Sequence, residues 1–375
     1  MSVKEISTKE LTQKVLSKEK VFIVDVRNTD AFDDWKVEGR NVEVINAPYT
    51  EIKEKSIDSF LDKLPESQTI HVICAKGNSS LKAANLIAEA GYTDVYSITG
   101  GMSAWSEHLE PIKIGELKGG GTIHQFVRIG KGCLSYLIQS NGEAAIVDAA
   151  RMTEPYRKIL AENDIKLTRV LDTHLHADHI SGGRELAENS GAEYFLPPKD
   201  AEDLQFSYEP VKDGDQYEVG YSIIKALYSP GHTIGSTSYI IDDQFLLTGD
   251  ILFIDSIGRP DLAGKAEDWV GDLRTTLYRR YKDLDENLIV LPAHYMGINE
   301  MNEDGSISSK LGTLYQENHG LNIDEEEEFR KIVSENLPPQ PNSYEEIRRT
   351  NMGKESPDED QQTVMETGPN RCAVR

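Results

Sequence analysis

The sequence predicts an α/β protein of two domains with a trailing extension, and three observations carry that expectation. At 375 residues the chain is longer than the roughly 250–300 at which a single hydrophobic core stops growing. Within residues 1–112 short apolar runs alternate with helical patterns, as in a small domain with a mainly parallel sheet. From Thr122 the pattern changes, beginning with an Asn141-Gly142 turn between two apolar runs, a strong local sign of a hairpin.

In chain order, Val21 to Val26, Ile70 to Ile73 and Val95 to Ile98 read as strands of the first domain, with Ser56 to Lys63 and Ser80 to Ala90 as helices. Residues 113–121 end in Lys118-Gly119-Gly120-Gly121 and read as a linker, because glycine runs are flexible. The second domain, 122–321, carries strands at Cys133 to Gln139, Ala144 to Val147, Thr168 to Asp172, Ser222 to Leu227, Ser238 to Ile241, Phe245 to Leu247 and Leu288 to Leu291. Helices fall at Glu154 to Glu162, Gly182 to Asn189 and Glu267 to Tyr281. Residues 322–375 read as an extension wrapped on the second domain. It is helical near Glu326 to Asn336, broken by Leu337-Pro338-Pro339-Gln340-Pro341, and least ordered around Glu355 to Gln362.

Composition narrows the class. A formal charge of -24 and an isoelectric point near 4.8 repel phosphate backbones, so no nucleic-acid partner is expected. No apolar run approaches the length of a membrane span, and the polar start MSVKEISTKE is not a secretory leader, so the expected location is cytoplasmic. Cys74, Cys133 and Cys372 are too scattered for a disulfide framework and fit a reducing compartment.

Two segments carry chemistry. Thr173-His174-Leu175-His176-Ala177-Asp178-His179 places three imidazoles and a carboxylate directly after an apolar stretch, and His232, Asp250 and His294 recur singly at the ends of later apolar runs. Imidazole and carboxylate ligands converging from strand ends suit a transition metal of the Zn, Fe or Mn type. The second segment, Cys74-Ala75-Lys76-Gly77-Asn78-Ser79-Ser80, joins an apolar strand to a helix. The backbone N–H groups of such a loop, above a helix N-terminus, cradle an anion around the Cys sulfur, and Lys76, Gly77 and Ser79 are its candidate binding residues.

The ordered metal residues resemble those of the metallo-β-lactamase superfamily over about 123–321, which implies an αβ/βα sandwich. Thr248-Gly249-Asp250-Ile251-Leu252-Phe253, followed by Gly258-Arg259-Pro260-Asp261-Leu262, is similar to the persulfide dioxygenases of that superfamily. The resemblance implies one Fe(II) per chain on His174, His232 and Asp250. His176, Asp178, His179 and His294 then stand in second-metal positions or orient the ligands. A zinc or dinuclear site stays open. Tyr295 resembles a family tyrosine near the iron. Arg259 either binds a carboxylate of the thiol carrier or pairs with Asp261. Cys133 reads as an inert core thiol, and Cys372 as a frayed or docked tail thiol.

Residues 1–112 resemble a single-domain rhodanese, through Asp25-Val26-Arg27, Gly39, Asn46, the Cys74 loop, Gly100-Gly101-Met102 and Trp105. Ser79 stands where the usual loop has Arg, with Lys76 and Lys82 nearby to compensate. Together the two resemblances imply a sulfide-detoxifying dioxygenase that oxidises a low-molecular-weight thiol persulfide with O2 to thiol and sulfite. Cys74 would pass sulfane sulfur to sulfite, giving thiosulfate. Glutathione, coenzyme A and bacillithiol all remain open as carriers, as does a homo-oligomer. Two alternatives stand beside this: a dinuclear thioester hydrolase of the glyoxalase II type, and a first domain that only senses or docks sulfur.

Overall fold

The computed structural model describes residues 3–17, 19–260, 266–335, 340, 342–369 and 373–374. The chain divides into two compact units, one chiefly Met1–Glu110 and the other chiefly Gly132–Glu366. The first unit holds strands Lys4–Ile6 (β1), Val21–Asp25 (β2), Val42–Asn46 (β3), Ile70–Ile73 (β4) and Val95–Ile98 (β5) in the order β1-β5-β4-β2-β3. Every pair in this sheet is parallel, and β2 and β4 are buried along their whole length, as strands covered on both faces must be. Helices Thr8–Leu16 (α1), Thr29–Asp34 (α2), Tyr49–Lys55 (α3) and Asn78–Glu89 (α4) make the crossovers, and Gly101–Glu107 (α5) follows the last strand. The start of α1 is fixed by reciprocal bonds between Ser7 and Glu10, which satisfy N–H groups that a helix end leaves orphaned.

The second unit stacks two sheets. Strands Glu110–Glu116 (β6), Thr122–Arg128 (β7), Cys133–Ser140 (β8), Glu143–Val147 (β9), Lys166–Leu171 (β10), Glu193–Leu196 (β11) and Glu209–Pro210 (β12) lie side by side in reverse chain order. Gln216–Val219 (β13), Ser222–Tyr228 (β14), Thr237–Ile241 (β15), Phe245–Gly249 (β16), Ile289–Pro292 (β18) and Ser309–Lys310 (β19) form the other sheet. Ile257–Gly258 (β17) pairs with Ala373–Val374 (β20). Helices Glu154–Glu162 (α6) and Gly183–Ser190 (α7) belong to the first sheet's side. On the second, Ala266–Thr275 (α8), Leu311–Glu317 (α9) and Glu326–Ser334 (α10) bury Leu273, Leu314 and Phe329 against Leu246 and Val290. Tyr344–Asn351 (α11) and Glu359–Glu366 (α12) complete the chain's helices among the described residues. The expected α/β class and the layered mixed sheets are what the structure contains.

The β8–β9 hairpin turns on Asn141 (φ 47°) and Gly142 (φ 78°), the pair of positive φ values that a two-residue turn matched to strand twist requires. Four expectations need correcting. Residues 113–116 are not linker but part of β6, since Ile112 and Ile114 alternate with exposed neighbours, and the chain only turns at 117–121. Ser56 to Lys63 is not a helix: Ser56 sits at φ 68° after α3, and two single turns, Ile57–Ser59 and Leu61–Lys63, follow. Pro65 then holds Leu64 extended. The α-helix expected through Tyr281 ends at Thr275 and continues as a wider π turn over Thr276–Arg280. Residues 355–362, expected to be poorly ordered, instead hold the start of α12 at Glu359. The Pro-rich break lies largely outside the described residues.

Candidate metal centre

The metal-ligand residues stand at strand ends, and the backbone there is held by side chains. Asp148, just after β9, accepts from the Thr173 N–H at 2.7 Å and the Thr173 hydroxyl at 3.0 Å, which fixes the chain as it leaves β10. Its Oδ1 also lies 3.1 Å from His176 Nε2. Asp250 follows Gly249, whose φ of 53° and contact with Thr173, where an added Cβ would fall 2.7 Å from Oγ1, leave no room for another residue. His232 directs Nδ1 to the Arg259 carbonyl at 2.9 Å, so Nε2 faces Asp250.

Three groups of donors result. His174 Nε2 and His232 Nε2 lie 3.9 and 3.4 Å from Asp250 Oδ2, with the three donor atoms all within 4.8 Å of one another. Asp250 Oδ2 is buried and has no hydrogen-bond partner, while Oδ1 meets His294 Nδ1 at 2.5 Å. The second group is Cys133, Asp178, His179 and His294. Here Asp178 Oδ2 lies 2.8 Å from His294 Nε2 and 3.5 Å from Cys133 Sγ, and Oδ1 lies 3.0 Å from His179 Nδ1. The third is Asp148, Asp172 and His176. An orphaned buried carboxylate oxygen aimed between two imidazoles fits a divalent ion, which is what such an atom lacks to offset its burial.

The charges follow from this packing. Burial, and then the neighbouring His176, hold His174 well below the usual imidazole value, and burial lowers His232 as well. Both are therefore neutral near pH 7, the form that binds metal. Burial opposes ionisation of Asp178 and Asp250, yet His294 and the other imidazoles outweigh it and hold both below the carboxylate range. His179 is buried too, but Asp178 raises it well above its ordinary value.

Cys133, expected to be an inert core thiol, stands instead among these ligands, and its strand pairs with His294 through an isolated bridge. Burial and the Asp178 charge push its thiol up, but the His294 charge and hydrogen bonds from His179 and His294 bring it down to about 7.

The extension supplies a contribution that residue types alone do not announce. Asn351, the last residue of α11, donates to the carbonyls of His176 and His179 and accepts from the Ser181 N–H, each at 2.9 Å. Glu366, in α12 and fully buried, accepts from the Ile180 N–H at 2.6 Å and from Arg151 Nε at 2.7 Å. The loop carrying four ligand-type residues is thus clamped from outside by the C-terminal helices.

In the first unit Cys74 directly follows β4 and is almost wholly buried. Gly77, at φ 88°, donates its N–H to Cys74 Sγ at 3.1 Å, in a bend where any Cβ would meet the Gly100 nitrogen at 2.9 Å. The hydroxyl nearest the sulfur belongs to Ser80, at 3.4 Å, and Ser97 donates to it at 3.1 Å. Ser79 is half-buried and Lys76 exposed. Asp25 and Arg27 form a two-toothed ion pair, 2.6 Å at its shortest, with Arg27 also bound to the Trp35 carbonyl.

Arg259 is 1% exposed and Tyr295 6% exposed, so both belong to the interior rather than to an open surface. Asp261, Leu262 and Cys372 lie outside the described residues. No helix among the described residues is long and apolar enough to cross a membrane.

The metallo-beta-lactamase superfamily profile matches residues 128–334, and the rhodanese-like domain profile matches 7–108. An uncharacterized protein of Mycobacterium leprae is 30% identical over 190 residues, 43% of this chain and 86% of the relative. A hydroxyacylglutathione hydrolase of Prochlorococcus marinus is 35% identical over 147 residues, 37% of this chain but only 57% of the hydrolase. Among solved structures, a metallo-beta-lactamase from Staphylococcus aureus subsp. aureus COL has a TM-score of 0.56 at 26% identity, covering 62% of this chain and 73% of that one. ETHE1 from Myxococcus xanthus has a TM-score of 0.54 at 25% identity, covering 62% of this chain and 99% of its own. With every candidate ligand residue inside the first profile and Cys74 inside the second, the chain belongs to the metallo-beta-lactamase superfamily and carries a rhodanese-like domain at its N-terminal end.

Proposed function

We propose that the chain is a persulfide dioxygenase with an attached sulfurtransferase. The observation that carries this reading is the placement of Asp250: its Oδ2, buried and without a hydrogen-bond partner, faces both His174 and His232. Two imidazoles and one carboxylate leave open positions on an Fe(II) ion, and such an ion when bound supplies the redox chemistry that O2 requires. The likeness to ETHE1 supports the same reading. The overall reaction would be RSSH + O2 + H2O to RSH, sulfite and two protons.

The chain's own residues have defined tasks in it. The Arg259 carbonyl fixes the tautomer of His232, His294 fixes Asp250, and Asp148 holds His176. Cys74 would take the outer sulfur of a second persulfide, releasing RSH, and hand it to sulfite as thiosulfate. The Gly77 N–H is placed to meet the charge on that sulfur. A small thiol persulfide, O2 and sulfite are the partners this proposes, with iron as the cofactor.

A second reading has its own support. All seven ligand-type residues are buried in neighbouring donor groups, joined through His174–His176 and His294–Asp250, and hydroxyacylglutathione hydrolases are among the relatives, so a dinuclear thioester hydrolase is chemically coherent. An oxygen electrode separates the two. Iron-loaded protein given glutathione, coenzyme A or bacillithiol persulfide is expected to consume O2. Hydrolysis of an acyl thioester with no O2 uptake on any persulfide would overturn the dioxygenase.

A further inference from the structure

Cys133 is used by none of the steps above, yet it is fully enclosed with three metal-binding side chains. The donor atoms of Cys133, Asp178, His179 and His294 all lie within 4.8 Å of one another and all four residues are buried. From Asp178 Oδ2 the spacings are 2.8 Å to His294 Nε2 and 3.5 Å to Cys133 Sγ, and from Oδ1 3.0 Å to His179 Nδ1. A tetrahedral zinc-class ion with bonds of about 2.0–2.3 Å sets its ligands about 3.3–3.8 Å apart, and four donors gathered within 4.8 Å of one another stand close to that spacing.

We propose that these four residues form a closed site for a thiophilic divalent ion of the zinc class, with the Cys133 thiolate as its fourth ligand. The resemblance to dinuclear relatives already places Asp178, His179 and His294 near a second metal. The thiolate is the new element, and it changes what the position does. Two nitrogens, one oxygen and one sulfur favour a borderline-soft ion over Fe(II). Four protein ligands leave no open position, which is the mark of a structural site rather than a catalytic one. The three-residue group at Asp250 keeps its open positions, so the two sites differ both in metal preference and in task.

His294 couples them. Its Nε2 faces the second group and its Nδ1 meets Asp250 Oδ1 at 2.5 Å. An ion on Nε2 would force the proton onto Nδ1, making His294 a donor to Asp250 and leaving Oδ2 aimed at the first site. The thiolate site would thereby orient the ligand on which the dioxygenase reading rests.

Cobalt(II) is the direct probe, because a coordinated thiol is deprotonated outright and thiolate–cobalt absorption appears in the near ultraviolet. Full-length protein titrated with cobalt is expected to show that band and to bind two ions per chain by elemental analysis. Cys133→Ser should lose the band and one ion, while a Cys74→Ser/Cys372→Ser double variant keeps both. His179→Ala provides a second variant that retains the thiol, and it should lose the same ion. A single ion per chain in saturating zinc or cobalt, or a band that survives Cys133→Ser, would overturn the site. The inference rests on the metal-centre reading, yet the two fail separately. O2 uptake without a thiolate band sinks only the closed site, whereas a thiolate band with no O2 uptake on any persulfide sinks only the dioxygenase.

Discussion

Replacing Asn351 with alanine should weaken a metal centre to which Asn351 contributes no donor atom. The side chain makes three hydrogen bonds of 2.9 Å, two to the carbonyls of His176 and His179 and one from the Ser181 N–H. Each is worth about 0.5–1.5 kcal/mol net, and because Asn351 is half-buried water replaces part of the loss, so about 2–3 kcal/mol is expected. That energy holds the loop from Thr173 to Ser181 in one arrangement, and the arrangement converges its ligands. Loss of a partner that orients metal ligands commonly costs about 10–100-fold in metal affinity, and about 2 kcal/mol fits within that range at 1.4 kcal/mol per tenfold. Competition with a chelator of known affinity gives the dissociation constant of iron or cobalt for each protein. Urea unfolding, read in the second unit because the chain holds two and need not unfold in one step, gives the stability. Asn351→Asp should be at least as damaging as Asn351→Ala, since a carboxylate offers no donor and faces two carbonyl oxygens. A dissociation constant within twofold of the parent in both variants would refute the idea that the extension shapes the site.

Three further outcomes are expected. Cys74→Ser should leave O2 uptake intact but switch the product from thiosulfate to free sulfite, resolved by bimane labelling and chromatography, because a hydroxyl is a poor sulfur acceptor; unchanged thiosulfate would reduce the first domain to a binding module. Asp250→Ala should lower iron affinity at least about 100-fold, the upper end of what even indirect partners cost, and abolish O2 uptake. His179→Ala should retain the iron, and equal loss in both would favour the dinuclear hydrolase. In the first unit, burial, opposed by the Phe22 carbonyl and aided by Lys14, lowers His71 below the ordinary imidazole value. The unfolded chain therefore binds the proton more readily, so stability contributed by neutral His71 is present above about pH 6.5 and lost as pH falls below it. His71→Gln should flatten the dependence of the first unit's urea midpoint between about pH 5 and 7, and an unchanged slope would exclude His71 as its source.

Much of the fold is written locally. Ile70–Ile73, Val95–Ile98 and Glu154–Glu162 occupy the spans that their apolar spacing indicates. Elements whose nature depends on distant pairing are different. Glu110–Glu116 becomes a strand because it borders β7 at a sheet edge, and the glycines after it serve a tight turn rather than a flexible tether. Ser56 takes a left-handed φ that serine rarely adopts, so nothing in a helical pattern of apolar residues warned of the break there. A propensity is a property of a segment, while a sheet edge is a property of two.

The same division runs through the metal centre. Its histidines and Asp250 are legible because imidazole at a strand end is uncommon enough to be noticed one residue at a time, and the structure buries them in three donor groups. Cys133 escapes that reading because thiols in apolar strands are ordinarily inert. What distinguishes it is a bridge to His294, 161 positions later in the chain, and strand register is invisible to composition. Asn351 and Glu366 escape for a further reason, since both are among the most ordinary residues of an exposed helix. Their partners lie 170 to 215 positions away. The signal that could have found Glu366 is energetic: Glu is almost never fully buried unless paired, and here one carboxylate answers both Arg151 and the Ile180 N–H. Candidate donors can thus be read from residue types, but the rigidity that holds them together comes from contacts made by the chain's far end.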